Sequence, residues 1–396
     1  MFEIAQTGTQ SNEGVENVAS TDVLVVGAGP TGLTLAAALV ARHVRVTVVD
    51  RLSAGANTSR AAVVHARTLE ALESLGVSER LATLGIHARR FTIRDRDRVL
   101  IPIDFDRLPT RYPYTLMVSQ AETERVLLQR LVELGGEVIR PHTVVDLEQD
   151  ARGVIATLDD GTTVRARYLV GADGMHSFVR KWSGISFAGG SYEESFVLAD
   201  VRLDSHLPAD EVILYFSSAG MVVVAPLPEG VHRIVAAVDD APEQPSAAYV
   251  QSLLDARGPL HERAVVREIV WGSRFRLHHR VADVYRAGRV LLAGDAAHVH
   301  SPAGGQGMNA GILDALNLAD ALTAALTQGQ DAALDAYGVR RRPVAQQIVR
   351  LADRLTRLAT VPPILRPLRN LLLKIIAHVP ALRRRLAWQL SGLIYR

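Results

Sequence analysis

The chain has 396 residues, 48% hydrophobic and 22% charged, long enough to bury a sizeable core and to form more than one domain. It contains no cysteine, which excludes disulfides, thiolate metal sites and a cysteine nucleophile, and with no His-x-x-x-His pair on a clear helix face no metal is expected. A formal net charge of +2 hides an uneven distribution: from Arg340 to Arg396 thirteen Arg or Lys face the single acid Asp353, leaving about −10 on the rest.

Residues 1–20 are polar, carry Glu3, Glu13 and Glu16, and lack an apolar h-region, so they read as a disordered leader and not a signal peptide. No apolar run approaches the ~20 residues needed to span a bilayer, so a soluble, cytoplasmic protein is expected. A buried-strand run over 22–26 leads into Gly27-Ala28-Gly29-Pro30-Thr31-Gly32 and an alanine- and leucine-rich helix to about 42. A second strand over 44–49 ends in Asp50. Gly27 suits a tight turn, Gly29 a close approach to a pyrophosphate, Gly32 close helix–strand packing, and Asp50 the hydroxyls of an adenosine ribose.

Ser119-Gln120-Ala121-Glu122 predicts a capping box and a helix to about 134, closed by Gly135-Gly136. Asp160-Gly161 predicts a hairpin between strands over 154–158 and 163–166. Tyr168-Leu169-Val170-Gly171-Ala172-Asp173-Gly174 is again a strand ending in an acid and a glycine, with Ser177 and Arg180 beyond. Alternating strands are predicted over 196–203, 211–217, 221–226, 231–238 and 264–271, interrupted by a short helix near 247–256. An apolar run over 289–293 then ends in Gly294-Asp295 and a glycine-rich loop, His298-Val299-His300-Ser301-Pro302-Ala303-Gly304-Gly305-Gln306-Gly307-Met308-Asn309, which opens a helix from Met308 to about 326. This offers a carboxylate to a sugar-alcohol chain and helix-start N–H groups to an electron-rich ring edge. After Tyr337 the pattern is helical, punctuated by Pro343, Pro362-Pro363, Pro367 and Pro380.

With motifs at 27–50, 171–180 and 294–309, one nucleotide-binding domain must be assembled from separated segments, 21–84, 115–184 and 281–340. A second domain is built from 85–114 and 185–280, and a basic helical tail covers 341–396. Three readings of the tail compete: a helical segment folded onto the body with its basic face solvated, peripheral contact with an anionic membrane surface, and nucleic acid. The last is disfavoured, since there is no interleaved aromatic platform.

In order and spacing the three motif stretches resemble the single-component (class A) FAD-dependent aromatic hydroxylases, the group that includes para-hydroxybenzoate hydroxylase, over roughly residues 20–395. Ser59-Arg60-Ala61, His65-Ala66-Arg67-Thr68-Leu69-Glu70, the stretch 220–228, Trp271-Gly272-Ser273-Arg274-Phe275-Arg276 and His278-His279-Arg280-Val281-Ala282 are similar to the bacterial branch that acts on polyketide-derived aromatics and phenols. Members of that branch often carry a C-terminal thioredoxin-like domain, which is not expected here because the chain ends at Arg396. The resemblance implies an α/β fold: a Rossmann-like (glutathione reductase-type) FAD-binding domain interleaved with an antiparallel-sheet substrate domain, plus a C-terminal helical segment. It implies a monooxygenase, monomeric or homodimeric, that uses FAD, NADPH or NADH as a transient reductant, and O2 as co-substrate. One oxygen atom goes into a small aromatic molecule; Baeyer–Villiger oxidation, epoxidation, oxidative decarboxylation or ligand binding without turnover are the alternatives.

Roles follow position by position. Gly27, Gly29, Pro30, Thr31, Gly32, Asp50 and Arg51 are expected at the ADP half of FAD, with Arg60 reaching the pyrophosphate. Gln120 is expected to touch the cofactor, and Gly294 and Asp295 its ribityl or pyrophosphate side. Gly305, Gly307, Met308 and Asn309 belong at the flavin N1–C2 carbonyl edge, and Pro302 faces substrate with its backbone carbonyl toward the reacting oxygen. Asp173 and Arg180 belong to a motif linked both to FAD and to nicotinamide binding. Phe196, Tyr215, Met221 and Trp271 are candidates for touching substrate. No general base is fixed: His298, His300, Arg276 or ordered water could serve. No second strand-Gly-x-Gly-x-x-Gly-helix unit exists, so the nicotinamide donor is expected to dock transiently in a groove. Asp320-Ala321 depart from the family's usual aromatic and basic pair.

Overall fold

The computed structural model describes residues 19–55, 61–261 and 263–396, so Arg60 and all but the end of the expected leader lie outside the described residues. The chain opens with β1 (Ala19–Val26), α1 (Pro30–Val40) and β2 (Val46–Val49). Next come β3 (Val63–Val64), α2 (Ala66–Leu72), α3 (Ser78–Leu84) and β4 (Ile86–Ala88), then β5 (Arg90–Asp95), β6 (Arg98–Asp104) and β7 (Thr115–Met117). After α4 (Gln120–Glu133) follow β8 (Val138–Ile139), β9 (Val144–Gln149), β10 (Val154–Leu158), β11 (Thr163–Gly171) and α5 (Phe178–Trp182). The next stretch holds β12 (Phe187–Asp204), β13 (Glu211–Ser217), β14 (Gly220–Pro226), β15 (Val231–Val238), α6 (Ala247–Arg257) and β16 (Val265–Ala282). The chain closes through β17 (Arg286–Ala287), β18 (Val290–Leu292), β19 (His298–Val299), α7 (Gly307–Gln328), α8 (Ala332–Ala359), α9 (Arg366–Ala377) and α10 (Pro380–Leu390).

One sheet runs in the order β17-β18-β11-β1-β2-β8, with β18, β11, β1, β2 and β8 parallel. Parallel strands are buried on both faces, which is why 22–26 and 168–171 read as unbroken apolar runs. α1 is apolar around its whole circumference, and Gly32 through Leu39 are all buried, as a helix enclosed on every side must be. Ser119 caps α4 by accepting from the Glu122 N–H at 3.2 Å, and the Gly136 N–H returns to Leu131 O at 2.9 Å, so both predicted ends of that helix hold.

A second sheet runs β19-β16-β12-β15-β14-β13-β5-β6, antiparallel except for the parallel pair β13–β5. Its strands alternate between two faces. Phe196, Phe216, Met221, Ile101 and Ile103 pack on one face against Leu373, Ala387 and Leu390 of α9 and α10. Tyr215, Val222 and Ile234 pack on the other against Val250, Leu253 and Leu254 of α6. β12 and β16 are longer than expected, pairing from Phe187↔Ala282 to Asp204↔Val265.

One expected boundary in the C-terminal part does not coincide with a break in structure. The predicted boundary at 340/341 falls inside α8, a continuous 28-residue helix that carries Pro343 within it; proline removes one ladder donor without ending this helix. The tail packs onto the body through the Phe196 cluster, as the first of its three readings has it. Contrary to the sequence reading, α7 is long and apolar enough to cross a membrane by length and composition; 61% of that window is buried inside the protein, as in a core helix.

Candidate active site

The parallel register gathers what the sequence scatters. Val26 pairs with Gly171 and with Val49, and Gly171 pairs with Leu292, so β1, β2, β11 and β18 end in one row. Gly27, Asp50, Asp173 and Gly294-Asp295 thus meet at the C-terminal edge of the sheet, where doubly wound folds bind their ligands.

The turn after β1 is shaped by close approach. Gly27 has φ +105°, and a methyl there would run into the Ala172 carbonyl; one on Gly32 would collide with Gly27's own carbonyl oxygen. At Gly29 a methyl would meet nothing within 4 Å, so this glycine opens onto free space at the start of α1, whose N-cap has no side-chain hydrogen bond. The Asp50 carboxylate is held in the mouth of the turn: the Ala28 N–H donates to Oδ2 at 2.6 Å and the Leu52 N–H to Oδ1 at 2.8 Å. Arg51 beside it is exposed. Thr31 sits where a methyl on Gly294 would lie 2.5 Å from its Oγ1, so small residues let α1 and the Gly-Asp turn touch.

Asp173 accepts from the Phe178 N–H at 2.7 Å through Oδ2, while its Oδ1 is buried without a hydrogen-bond partner among the described residues, and burial pushes this carboxyl above its ordinary value. Arg180 is turned elsewhere. Its guanidinium donates to Ala296 O and Met175 O, both at 2.8 Å, and lies 3.8 Å over the Phe187 ring. The structure therefore makes it a positioning residue that clamps the Asp-Gly turn to the Gly-Asp loop. Asp295 is exposed on the short turn Gly294–Ala296. Gln120 accepts from the Ala61 N–H at 3.2 Å and donates to Glu124 at 2.8 Å.

The loop before α7 is pinned from below. Asn309 accepts from the His65 N–H at 2.8 Å and donates to Val63 O and Gly305 O, at 2.9 and 2.7 Å. His65 Nε2 donates to Gly304 O at 2.9 Å, and a methyl on Gly305 would press 3.0 Å from Val63. The Asn309 side chain is thus structural, while its backbone belongs to the first turn of α7, which has no side-chain cap and presents Gly307 and Met308 at its start. The Pro302 ring is exposed, and its carbonyl accepts from the Gly305 N–H at 2.8 Å; closing this turn uses one of the lone pairs the sequence reading aimed at the reacting oxygen.

His300 donates from Nδ1 to Ser301 O at 2.7 Å, which leaves the Nε2 lone pair buried without a partner among the described residues. Burial lowers both His65 and His300 to about 4. A histidine depressed in the folded state adds stability above its unfolded value and loses it as pH falls through the folded one. Stability against denaturant is therefore expected to fall between pH 6.5 and 4 by about 3 kcal/mol for each. His65→Gln should flatten that slope; an unchanged slope counts against the assignment.

Beneath the loop lies a buried network that sequence reading missed. Asp314 Oδ1 accepts from Arg341 Nε and Oδ2 from His298 Nε2, both at 2.6 Å, and the Gly294 N–H reaches Oδ2 at 3.3 Å. Burial pushes the Asp314 carboxyl up, but Arg341 and His298 outweigh it and hold it below its ordinary value. His298 is therefore spent on structure. Arg140, also missed, donates to Ala28 O at 3.3 Å from the end of β8.

In the second sheet, Leu390 joins the Phe196 cluster and also stands 3.7 Å from a methyl built on Gly304, so the cluster reaches the loop. Phe196 and Phe275 pack with ring centroids 5.7 Å apart, and Met221 joins them. Two other candidates fall away by strand alternation and a third by distance along its strand. Tyr215 points to the opposite face, under α6. Arg276, next to Phe275, faces away from the Phe196 side and is exposed. Trp271, in register with Asp200, is half-buried about 13 Å along the strand from Phe275. Phe196→Leu is accordingly expected to raise the KM for substrate about tenfold, with Tyr215→Phe leaving it unchanged in steady-state assays. Among the described residues one set of potential metal ligands stands together, His142, Asp159 and Asp160, within 4.8 Å of one another on the surface. It contains none of the site residues.

The model of a family described as "FAD binding domain" matches residues 20–352. This chain belongs to that family. It is a class A flavoprotein aromatic monooxygenase. It is 38% identical over 393 residues to the 12-dehydrotetracycline 5-monooxygenase/anhydrotetracycline 6-monooxygenase of Streptomyces rimosus, across 95% of this chain and 77% of that protein. To pentachlorophenol 4-monooxygenase of Sphingobium chlorophenolicum it is 36% identical, over 83% of this chain and 63% of that one. Among solved structures it is similar to p-nitrophenol 4-monooxygenase of Pseudomonas putida, with a TM-score of 0.84 at 27% identity, covering 95% and 99% of the two chains. The chain thus spans between about three-fifths and three-quarters of the curated relatives named here. The residues present fit FAD: open space at Gly29, an unpartnered Asp173 Oδ1, and an uncapped α7 start facing the same edge.

Proposed function

We propose that this flavoprotein hydroxylates a phenolic or polycyclic, polyketide-type aromatic in the cytoplasm, taking hydride from NADPH or NADH and one oxygen atom from O2. The observation that carries the reading is the apolar cluster of Phe196, Met221 and Phe275, which reaches the glycine-rich loop through Leu390, 3.7 Å from a methyl built on Gly304. The tetracycline and chlorophenol oxygenases to which the chain is similar support it. FAD, when bound, supplies the O2 chemistry that an aromatic carbon alone does not undergo.

The chain's own residues bind, orient and shield. Gly27, Gly29, Gly32 and Asp50 would hold the ADP half, with Arg140 bracing the turn, and Asp173 Oδ1 and Asp295 would accept from cofactor hydroxyls. The N–H groups of Gly307, Met308 and Asn309 would stabilise negative charge on the reduced ring edge, as a helix start does. His300, kept neutral, offers Nε2 to a phenol O–H. The apolar cluster keeps water from the reacting atoms.

The test is NADPH oxidation by the FAD-loaded protein with and without candidate phenols and polycyclic aromatics, followed by product mass. Ligand-stimulated consumption with a gain of one oxygen is expected. No stimulation with any ligand would mean a binding protein without turnover, and loss of carbon dioxide or an ester product would move the chemistry to another branch of flavin oxygenation.

A further inference from the structure

α9 has one face fastened to the body and one that no described residue covers. Its inner face is fastened to the second sheet: Asn370 Nδ2 donates to Asp95 Oδ2 at 2.9 Å and to Phe216 O at 3.0 Å, and the buried Arg369 guanidinium lies 4.2 Å over the Phe216 ring. Its outer face is apolar. Of seventeen large apolar side chains exposed on the described chain, eight lie between residues 364 and 382, each at least 39% exposed, among them Ile364, Leu368, Leu371, Ile375 and Leu382. A groove of about 380 Å³ runs beside them, lined by Leu358, Val361, Leu365, Leu368, Leu372 and Ile376 with Arg369 among them. Such a concentration marks an interaction surface.

Charge says what it meets. Residues 361–395 carry Arg366, Arg369, Lys374, Arg383, Arg384 and Arg385 and no acid, while residues before 340 sum to about −10. A second copy of this face would bring two basic patches together with no carboxylate between them. An anionic lipid surface answers both features, accepting the apolar side chains at the headgroup boundary and attracting the flanking cations. We propose that α9 with the start of α10 docks this enzyme peripherally on anionic membrane, the acidic body held away by its own charge.

The FAD-loaded full chain is floated with vesicles of equal parts phosphatidylglycerol and phosphatidylcholine, and with phosphatidylcholine alone. The expected result is at least about tenfold stronger partition to the anionic vesicles, falling as salt rises. Leu371→Ser with Ile375→Ser should abolish flotation and Arg384→Gln with Arg385→Gln should weaken it severalfold, both keeping wild-type FAD content and melting temperature. The proposal is overturned if the wild type stays in solution with anionic vesicles at low salt, or if the Leu371/Ile375 variant floats as well as the wild type. It is equally overturned if light scattering finds a dimer that this variant splits, since the face then joins two copies.

Discussion

Gly29→Val is expected to give a folded protein that holds no flavin. The backbone at Gly29 has φ −75°, which any residue adopts, and a methyl there meets no protein atom within 4 Å. Valine therefore costs the apoprotein little. What it fills is the space at the start of α1 through which a pyrophosphate reaches backbone N–H groups. FAD affinity should fall by at least about a hundredfold, while the apoprotein melts as the wild-type apoprotein does. Gly32→Val is the control with the opposite signature. Its side chain collides with the Gly27 carbonyl, so α1 cannot pack on β1 and soluble protein should be lost. Equilibrium dialysis against FAD and a melting curve separate the two. Wild-type FAD content in Gly29→Val would mean that the cofactor lies elsewhere.

Asp314→Asn is expected to cost about 3–5 kcal/mol of unfolding free energy, because it strands the buried Arg341 guanidinium without a counter-charge. The loss should exceed that of replacing Asp314 by Leu together with Arg341 by Met, which removes both charges and leaves neither unpaired. The same change withdraws the acceptor of the Gly294 N–H and loosens the turn that carries Asp295, so FAD affinity should fall with stability. Denaturant titration of the wild type and both variants, with and without FAD, measures both. A cost for Asp314→Asn below about 1 kcal/mol would show that the network does not support the loop.

Much of this was legible in the sequence because the motifs carry local physics. The run into Gly27, the acid after β2 and the Ser119 cap each dictate a turn or a helix start from a few adjacent residues, and all lie where expected, though Glu122 pairs with Arg125 and does not close the box. Which face of a strand meets substrate is a different kind of fact. Tyr215 and Phe216 are equally aromatic neighbours, and only the position of α6 and α10 decides that Phe216 shares the face of Phe196. The same alternation sends Arg276 outward. Asp314, His298 and Arg341 come together from different elements, so no spacing announces them. Arg180 looked like a ligand-binding cation because its two carbonyl partners are backbone, invisible in a list of side chains. Pro343 signalled a break that the packing of α8 overrides.

The claim on which the rest depends is that four strand ends form one cradle for FAD, and titrating the purified full chain with FAD tests it most directly. The account predicts a yellow protein binding FAD in equimolar amount, with a raised melting temperature. A chain that stays colourless after incubation with excess FAD, its melting unchanged, would contradict it.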